Sequence, residues 1–451
     1  MNKDTVGGNA KLKKKIVYYD GNILNIKEVY QKIHSSNHDL SSEEMILSLF
    51  NMLGLEFFNL CIGDFIIKIS DEKKQYICKG PTHRLNGYYE IINNNVQIYK
   101  YVDQIPNKNT RLLSFEKIRK DSSYALFFNN VDRLNYHEVI IFTCETNKLT
   151  KYPLSDPRHE IPTIFQESVA KDMIHATMTN TFEKYFSENK EKVISLVSGG
   201  IDSSIATYHA NEMNDDLNLV SLGTTTNNEF KEAQQFGNFL KKEVFEIVVK
   251  EEEYLEVYPL VVYLLEHFNS QIIEYMIPVV LVYKKMQGRF KELISGYGSD
   301  ILFGGFSHGE SFSTRHLILN EYESLLYSNE MSKKIDEYFA VKTFYPFFET
   351  KFIHDSFKIS STLKTKNNVE KYILRKTYEN CFPKEISWRK KLGIHEGSGC
   401  EKFFSSILEY KKGKQSIRYL KDKLAYSVFR KIFIENIPLE KLDVKAVIDQ
   451  L

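Results

Sequence analysis

The apolar run VISLV at 193–197 leads directly into SGGIDSS at 198–204, and this junction restricts the fold more than any other stretch of the chain. A continuous apolar run is typical of a strand buried on both faces, and the segment after the glycines has the pattern of a helix start. Similar runs, separated by helical segments, occur at 218–224, 243–249 and 291–298. The second half of the chain is therefore predicted to be α/β, with a doubly wound parallel sheet.

The two glycines after the first run make this loop a candidate phosphate site. Gly199 and Gly200 permit backbone conformations and close approaches that other residues disfavour. The helix that follows presents free N–H groups and the positive end of its dipole. Ser198, Ser203 and Ser204 add hydroxyl donors. An ordinary glycine turn is the alternative, but the complete motif between strand and helix favours a bound phosphate.

Asp202 lies in the same loop and requires a cation. A carboxylate beside a phosphate is repulsive unless a cation bridges them, and Mg²⁺ is the usual bridge. Asp300 lies in the glycine-rich segment 294–305, at the carboxyl end of another predicted strand. Because open parallel sheets bind ligands at that edge, Asp202 and Asp300 are predicted to hold Mg²⁺ together. Taken alone, the segment around Asp300 is equally compatible with a structural turn.

The first third of the chain has a different pattern. Residues 16–150 consist mainly of short β-branched and aromatic runs punctuated by Gly, Asn and Asp, which predicts an α+β domain built on antiparallel sheet. One helix is predicted at 41–54, where a serine cap is followed by a glutamate three positions later. A linker with two prolines is predicted at 155–164, which separates domains at 1–157 and 165–451.

Charge, hydropathy and cysteine spacing restrict the class of protein. The 451 residues carry 60 Lys and Arg against 59 Asp and Glu, so a broad positive field for nucleic acid is not expected. The longest apolar stretches are too short to span a bilayer, and no signal peptide is recognisable. Five scattered cysteines without a C-x-x-C pair predict neither disulfides nor a zinc site. We expect a cytoplasmic protein without nucleic-acid or membrane partners.

Three separated motifs resemble those of the asparagine synthetase superfamily, in the same order. They are SGGIDSS at 198–204, GTTTNNEFKEA at 223–233 and SGYGSDILFGG at 295–305. SWRKKLGIHEGSG at 387–399 is similar to the lysine loop of the carbapenam synthetases and β-lactam synthetases in that superfamily. The resemblance implies a PP-loop ATP pyrophosphatase-type domain, in which ATP is cleaved between its α and β phosphates and a carboxyl-adenylate forms.

The resemblance also implies an N-terminal domain of the Ntn-hydrolase, glutaminase-like type. Active glutaminase domains of this superfamily use a cysteine exposed as the mature N-terminus. Here the chain starts at Met1 and its first cysteine is Cys61. The domain is therefore expected to be inactive, as in the lactam-forming members, whose amine nucleophile lies within the substrate.

Catalytic roles come from the resemblance as well. Tyr297 and Glu330 align with a Tyr–Glu pair that helps to deprotonate the attacking amine, and Lys391 aligns with a lysine that stabilises the anionic transition state and the departing phosphate. Competing assignments remain for two of them: Glu321, Glu323 and Glu337 for the glutamate, and Lys390 for the lysine. His395 and Glu396 are expected to order the lysine loop, and Trp388 to pack at its base.

The implied ligand contacts form two sets. The ATP site comprises Val197, Ser198, Gly199, Gly200, Asp202, Ser203, Ser204, Leu222, Ser295, Gly296 and Lys391, with Mg²⁺ on Asp202 and Asp300. The substrate site comprises Glu274, Tyr297 and Gly298. Two alternatives stay open for Glu274, because its carboxylate can hold a cationic substrate group or cap a helix start.

The predicted activity is ATP- and Mg²⁺-dependent closure of a small β-amino acid to a β-lactam, with release of AMP and pyrophosphate, in antibiotic or other secondary-metabolite biosynthesis. The alternative is another amide, such as a macrolactam on a peptide or an ammonia-dependent amidation. A third hypothesis, a scaffold without catalysis, is disfavoured by the intact Asp202, Asp300 and Lys391. Assembly as a homo-oligomer is left open.

Overall fold

The computed structural model describes residues 10–12, 15–34, 40–120, 127–189, 191–305, 314–390, 392–411, 413 and 415–451. The chain forms two compact units, Met1–Asp156 and Pro157–Leu451. Each has its own hydrophobic core. No helix in the described ranges combines the length and the apolar character that crossing a bilayer requires.

The N-terminal unit is built on antiparallel sheet. Its strands are β1 (Ala10–Leu12), β2 (Lys15–Ile23), β3 (Gly63–Ser70), β4 (Lys74–Lys79), β5 (Tyr88–Ile92), β6 (Asn95–Tyr99), β7 (Asp132–Arg133), β8 (Glu138–Thr143) and β9 (Lys148–Pro153). Its helices are α1 (Ile26–His34), α2 (Ser42–Leu53), α3 (Phe57–Leu60), α4 (Lys108–Arg111) and α5 (Phe115–Lys120). The described strands form a six-stranded sheet in the order β1-β2-β3-β4-β8-β9 and a three-stranded sheet in the order β6-β5-β7.

The side chains of β3 alternate between two hydrophobic clusters, one on each face of the sheet. Phe65, Ile67 and Ile69 belong to one hydrophobic cluster, together with buried residues of α2, whereas Ile66 belongs to a second cluster. Successive side chains of a strand point to opposite faces, so the sheet is covered on both. The predicted antiparallel α+β architecture is confirmed. Its assignment to the Ntn-hydrolase type stays a prediction.

Helix α2 begins where its capping signal predicts. The backbone N–H of Glu44 donates to Ser41 Oγ at 3.2 Å, and the Glu44 carboxylate accepts from the backbone N–H of Ser41 at 2.9 Å. These reciprocal bonds satisfy two backbone donors that would otherwise lack partners. Met45, Ile46 and Leu49 then place an apolar face in the core. The predicted helix at 41–54 is confirmed as Ser42–Leu53.

Removal of this cap should destabilise the N-terminal unit measurably. Ser41→Ala is expected to cost about 1 kcal/mol of unfolding free energy, because the N–H of Glu44 loses its acceptor. A loss of that much free energy lowers the unfolding temperature of a unit of this size by roughly 2–4 °C. Differential scanning calorimetry of the full chain measures it. Ser42→Ala is the matched control, and an equal shift in both variants would contradict a capping role for Ser41.

The second unit contains a parallel sheet. Its strands are β10 (Val193–Leu196), β11 (Asn218–Gly223), β12 (Val244–Val248), β13 (Glu292–Ile294) and β14 (Lys342–Phe344). All four pairings are parallel, and the order is β12-β11-β10-β13-β14. The predicted parallel α/β sheet is confirmed. β14 has three residues and no strand was predicted there, because its apolar pattern is too short to recognise.

Helices account for most of the remaining described residues in this unit. They are α6 (Glu167–Glu188), α7 (Ile201–Met213), α8 (Phe230–Leu240), α9 (Glu252–Leu265), α10 (Ser270–Met286), α11 (Ser299–Phe303), α12 (Thr314–Ser328), α13 (Lys333–Phe339), α14 (Thr350–Lys358), α15 (Ser361–Lys364), α16 (Tyr372–Tyr378), α17 (Lys384–Ser387), α18 (Ile394–Gly397), α19 (Cys400–Glu409), α20 (Ile417–Phe433) and α21 (Val444–Asp449). The predicted helical character of the last hundred residues is confirmed.

The strand order places a topological switch at β10. From β10 the chain moves outward through β11 to β12, and then returns to the other side of β10 to form β13 and β14. Right-handed crossovers on either side of such a switch put helices on opposite faces of the sheet. β10 and β13 are the strands at this switch, and open α/β sheets bind ligands beyond the carboxyl ends of the strands at such a point.

Candidate active site

The glycine loop after β10 has an ordered internal structure. Gly199 has φ of +69°, a left-handed conformation that favours glycine, and Gly200 precedes the first residue of α7. The N–H of Gly200 donates to Ser198 Oγ, and Ser203 Oγ donates to the carbonyl of Gly200. Ser204 Oγ is buried, without a hydrogen-bond partner among the residues that the structure describes. The loop and the start of α7 thus surround a position suited to an anion.

The other predicted nucleotide residues lie at the same edge of the sheet. Val197 follows β10, Leu222 is near the carboxyl end of β11, and Ser295 and Gly296 follow β13. A Cβ at Gly296 would lie 2.6 Å from the backbone N of Ser203, so only glycine lets this segment approach the first turn of α7 so closely. The structure therefore places all the predicted ATP residues that it describes at the ends of three neighbouring strands.

Asp202 and Asp300 also meet, and a lysine lies between them. Lys371 Nζ is 2.5 Å from Asp202 Oδ2 and 2.6 Å from Asp300 Oδ1, and the lysine side chain is fully buried. Burial lowers the pKa of Lys371, but the charges of Asp202 and Asp300 outweigh it and hold the pKa above its ordinary value. Lys371 was not predicted from the sequence.

The residues present fit a magnesium ion. Asp202 Oδ1 is buried and accepts no hydrogen bond within the described part of the chain, so one carboxylate oxygen is left for a cation. Mg²⁺ commonly uses one or two carboxylates and completes its shell with phosphate oxygens and water. No group of three or more His, Cys, Asp or Glu suited to a metal occurs among the described residues, so the phosphates of a nucleotide would have to supply further ligands.

Tyr297 and Glu330 form the predicted pair. Tyr297 Oη donates to Glu330 Oε2 at 2.6 Å, which brings together residues from the end of β13 and the turn after α12. Burial raises the pKa of Glu330, and hydrogen bonds from Tyr297 and Ser328 offset that only in part. Burial, with the nearby charge of Glu330, raises the pKa of Tyr297 well above its ordinary value. The phenol is therefore protonated at neutral pH, and the carboxylate is a stronger base than an exposed one.

One cavity is lined by the Tyr–Glu pair and by Asp300, one of the two carboxylates assigned to the metal. It has a volume of about 1350 Å³, and Asp300, Tyr297, Glu330 and Glu274 line it. A cavity for a single small ligand typically measures roughly 300–1,000 Å³. Gly298 helps to shape the wall, because its φ of +103° favours glycine and a Cβ there would collide with the ring of Phe348. The volume exceeds that of a typical cavity for one small ligand.

Two arginines hold the segment before Lys391: Arg389 ties it to the glycine loop, and Arg375 ties it to α16. Arg389 donates to the carbonyl of Ser198 and to Glu229 Oε1, both at 2.6 Å. Arg375 donates to the carbonyls of Ser387 and Arg389, at 2.8 Å and 2.9 Å. Lys391 itself lies outside the described residues. Its neighbour Lys390 lines the cavity, so the lysine segment borders the same space as the Tyr–Glu pair.

Neither arginine was predicted, although a weak signal exists. Lys371 and Arg375 are four residues apart, where Lys371 is the residue that precedes α16 and Arg375 lies within the helix. The sequence alone does not distinguish these two basic residues from those of a solvated helix face. Their partners are backbone carbonyls for Arg375 and distant carboxylates for Lys371, and neither kind of partner can be recognised from the sequence.

The weaker predictions have mixed outcomes. Glu274 lines the cavity, and its carboxylate accepts from Lys421 Nζ at 2.9 Å. Burial raises the pKa of Glu274 to about 7. The idea that Glu274 caps a helix start is wrong: Asn269 caps α10, since its side chain accepts from the N–H of Gln271, whereas Glu274 lies inside the helix.

The side chains around the lysine loop make local contacts. Glu396 accepts from the N–H of Gly393 at 2.6 Å, which is the kind of contact expected of a residue that orders the loop. The ring centroid of His395 lies 6.0 Å from that of Tyr275. Trp388 is half-buried, with its ring centroid 6.2 Å from that of Tyr372.

A sequence profile described as asparagine synthase matches residues 187–338 and 316–412. The two overlapping matches cover just over half of the 451 residues, including the glycine loop, Asp300, the Tyr–Glu pair and the lysine segment. The chain belongs to the asparagine synthase family. The predicted superfamily is thus confirmed, and the geometry above is that of one of its members.

The chain is similar to relatives of two kinds. The carboxyethyl-arginine beta-lactam-synthase of Streptomyces clavuligerus is 31% identical over 214 residues, which are 47% of this chain and 42% of that protein. The glutamine-hydrolyzing asparagine synthetase of Gallus gallus is 22% identical over 420 residues, which are 87% of this chain and 74% of that protein. The match thus covers less than half of the first relative.

Among solved structures, an NH3-dependent NAD synthetase from Campylobacter jejuni subsp. jejuni covers 62% of this chain and 100% of that chain. It is 12% identical, with a TM-score of 0.28, a value at which two folds need not be the same.

Proposed function

We propose that this protein closes an amide bond within one small substrate, at the expense of ATP. The substrate carboxylate attacks the α-phosphorus of ATP, pyrophosphate leaves, and the amine of the same molecule then displaces AMP from the carboxyl-adenylate. A β-amino acid treated in this way becomes a β-lactam. The observation that carries this proposal is the hydrogen bond of 2.6 Å between Tyr297 and Glu330 in a cavity shared with Asp300.

The Tyr–Glu pair supports attack by an amine that belongs to the substrate. An amine must lose a proton as it forms the amide, and a base in contact with the cavity can accept it. Tyr297 Oη receives this proton while its own proton passes along the existing hydrogen bond to Glu330 Oε2. The raised pKa of Glu330 favours that transfer, whereas the raised pKa of Tyr297 disfavours a free phenolate. Glu330 is thus the base and Tyr297 the relay.

The glycine loop and the two carboxylates serve the first step. Backbone N–H groups at Gly199, Gly200 and the start of α7 bind the pyrophosphate portion of ATP. Mg²⁺ held by Asp202 and Asp300 would neutralise phosphate charge as pyrophosphate leaves. On this proposal Lys391 contributes a positive charge toward the carbonyl oxygen during attack by the amine. The residues before it are held by Arg375 and Arg389, and Lys390 lines the cavity.

Intramolecular attack is favoured by the relative from Streptomyces clavuligerus, which is named as a beta-lactam-synthase. An enzyme that holds both reacting groups in one molecule gains much of its rate from their proximity. On this account the substrate is a small β-amino acid and the product belongs to secondary metabolism, for example an antibiotic. The proposal includes action in the cytoplasm without nucleic-acid or membrane partners, and its chemistry is the same for a monomer and for a homo-oligomer.

The proposal is tested with purified protein, ATP and the small-molecule fraction of cells that produce it. AMP and pyrophosphate should be released together, and mass spectrometry should reveal one metabolite that loses one water. Exchange of a hydroxyl for an amine, in a reaction that requires ammonia, would instead identify amidation. Release of ADP and phosphate would contradict adenylation altogether.

A further inference from the structure

The buried ammonium of Lys371 occupies the space between the two carboxylates assigned to Mg²⁺. Its Nζ lies 2.5 Å from Asp202 and 2.6 Å from Asp300, and no part of the side chain is exposed. An ammonium and a divalent cation attract the same oxygens, and they cannot both lie directly between them. The described geometry is therefore that of a carboxylate pair that already shares one cation supplied by the protein.

We propose that Lys371 and the divalent metal compete for Asp202 and Asp300, so that the free protein binds metal weakly and gains affinity when a nucleotide is present. This inference rests on the proposed use of ATP and Mg²⁺. The nucleotide phosphates provide negative charge for both cations. The lysine can then give up the carboxylates without becoming an unpaired buried charge, which is costly.

The atoms around Asp300 and Lys371 are tightly packed, so a metal ion can bind between the carboxylates only if the ammonium moves away. A Cβ at Gly305 would collide with Asp300 Oδ1 and would lie 2.5 Å from Lys371 Cε, so even a methyl group has no room beside the pair. The backbone around Lys371 is fixed, because Arg375 one turn later donates to the carbonyls of Glu370, Ser387 and Arg389. Exchange of cations is therefore confined to rotation of the Lys371 side chain.

The net charge of the site predicts whether metal affinity rises or falls when the ammonium of Lys371 is removed. Two carboxylates and one ammonium carry a net charge of one negative unit, whereas the carboxylates alone carry two. Metal affinity at carboxylate sites rises with the charge of the ligands. Removal of the ammonium should therefore strengthen the binding of free metal, although the same change removes a phosphate neighbour and weakens the binding of nucleotide.

The test is a titration with Mn²⁺, in which electron paramagnetic resonance measures the unbound ion. The wild type and Lys371→Met are compared without nucleotide and with α,β-methylene ATP. Without nucleotide, Lys371→Met should bind Mn²⁺ about tenfold or more tightly than the wild type. Lys364→Met is the matched control, because Lys364 is also a buried lysine but its pKa depends on burial and Arg315, not on the two aspartates.

The outcomes separate this inference from the proposed function. Equal Mn²⁺ affinity of Lys371→Met and the wild type without nucleotide would overturn the competition alone. No Mn²⁺ binding by the wild type even with α,β-methylene ATP would overturn the proposed function as well. If Lys371→Met is too unstable for titration, the melting temperatures of the variant and of the wild type are measured instead, first with a chelator and then with Mg²⁺ alone. Competition predicts that Mg²⁺ raises the melting temperature of the variant but not that of the wild type, and no rise in the variant contradicts it.

Discussion

Glu330→Gln should reduce amide formation by ~100-fold or more while adenylation continues. Gln keeps the shape of the side chain and can still accept the hydrogen bond of Tyr297, but it cannot take up the proton that leaves the amine. Exchange of labelled pyrophosphate into ATP, which reports reversible adenylation, should remain close to that of the wild type. Product formation, measured on the same preparation, should be lost.

Glu321→Gln is the matched control for this variant. Glu321 also lines the cavity and was a competing candidate for the base, whereas Glu330 is the glutamate in contact with Tyr297. The control should form product at nearly the wild-type rate. Equal loss of pyrophosphate exchange and of product in Glu330→Gln would count against a base role and would indicate a general disturbance of the site.

The pH dependence of the same reaction should carry the signature of Glu330. Burial raises the pKa of this carboxyl, and only its ionised form accepts a proton. The rate of amide formation by the wild type should therefore fall as the pH drops through that raised pKa. Adenylation should not follow the same curve, so single-turnover measurements of the two steps at several pH values separate them. Identical profiles for both steps would contradict this assignment.

Lys391→Met should lower product formation by ~100-fold or more and leave ATP binding largely intact. The ammonium is assigned to charge that develops on the carbonyl oxygen during attack, so its loss affects the transition state more than the bound nucleotide. Isothermal titration calorimetry with α,β-methylene ATP measures binding, and product analysis measures the reaction.

Lys390→Met is the control, because the neighbouring lysine borders the same cavity and was the competing assignment. Near-normal activity of Lys391→Met together with a severe defect in Lys390→Met would transfer the role to Lys390. Wild-type turnover in both variants would remove this segment from the chemistry.

Local patterns were sufficient to predict the scaffold of the second unit. A continuous apolar run followed by two glycines and a helix defines β10, the loop and α7, and each was found at the predicted place. Because parallel strands end at one edge, the residues that follow β10, β11 and β13 had to meet there. The Tyr297–Glu330 contact was anticipated through the family resemblance, since the two residues lie 33 positions apart and no periodicity connects them.

The sequence did not predict ion-pair partners that are far apart along the chain. Lys371 lies 169 positions from Asp202, and the segment around it has the charge pattern of an ordinary solvated helix start. Likewise Lys421, the partner of Glu274, is 147 positions away on α20. Both lysines are buried by packing among helices whose arrangement depends on the whole unit. The sequence therefore predicts which carboxylates are present, but not which of them are already paired with a lysine of the protein.

The central claim is that one substrate supplies both the activated carboxyl and the attacking amine. The most direct measurement is mass spectrometry of a single reaction in which the substrate carboxylate carries heavy oxygen. Intramolecular closure through an adenylate predicts one heavy oxygen in AMP and a product lighter than the labelled substrate by that heavy oxygen and two hydrogens, with the other heavy oxygen retained in the new amide. Heavy oxygen in inorganic phosphate, or a product that has gained nitrogen from added ammonia, would contradict the account.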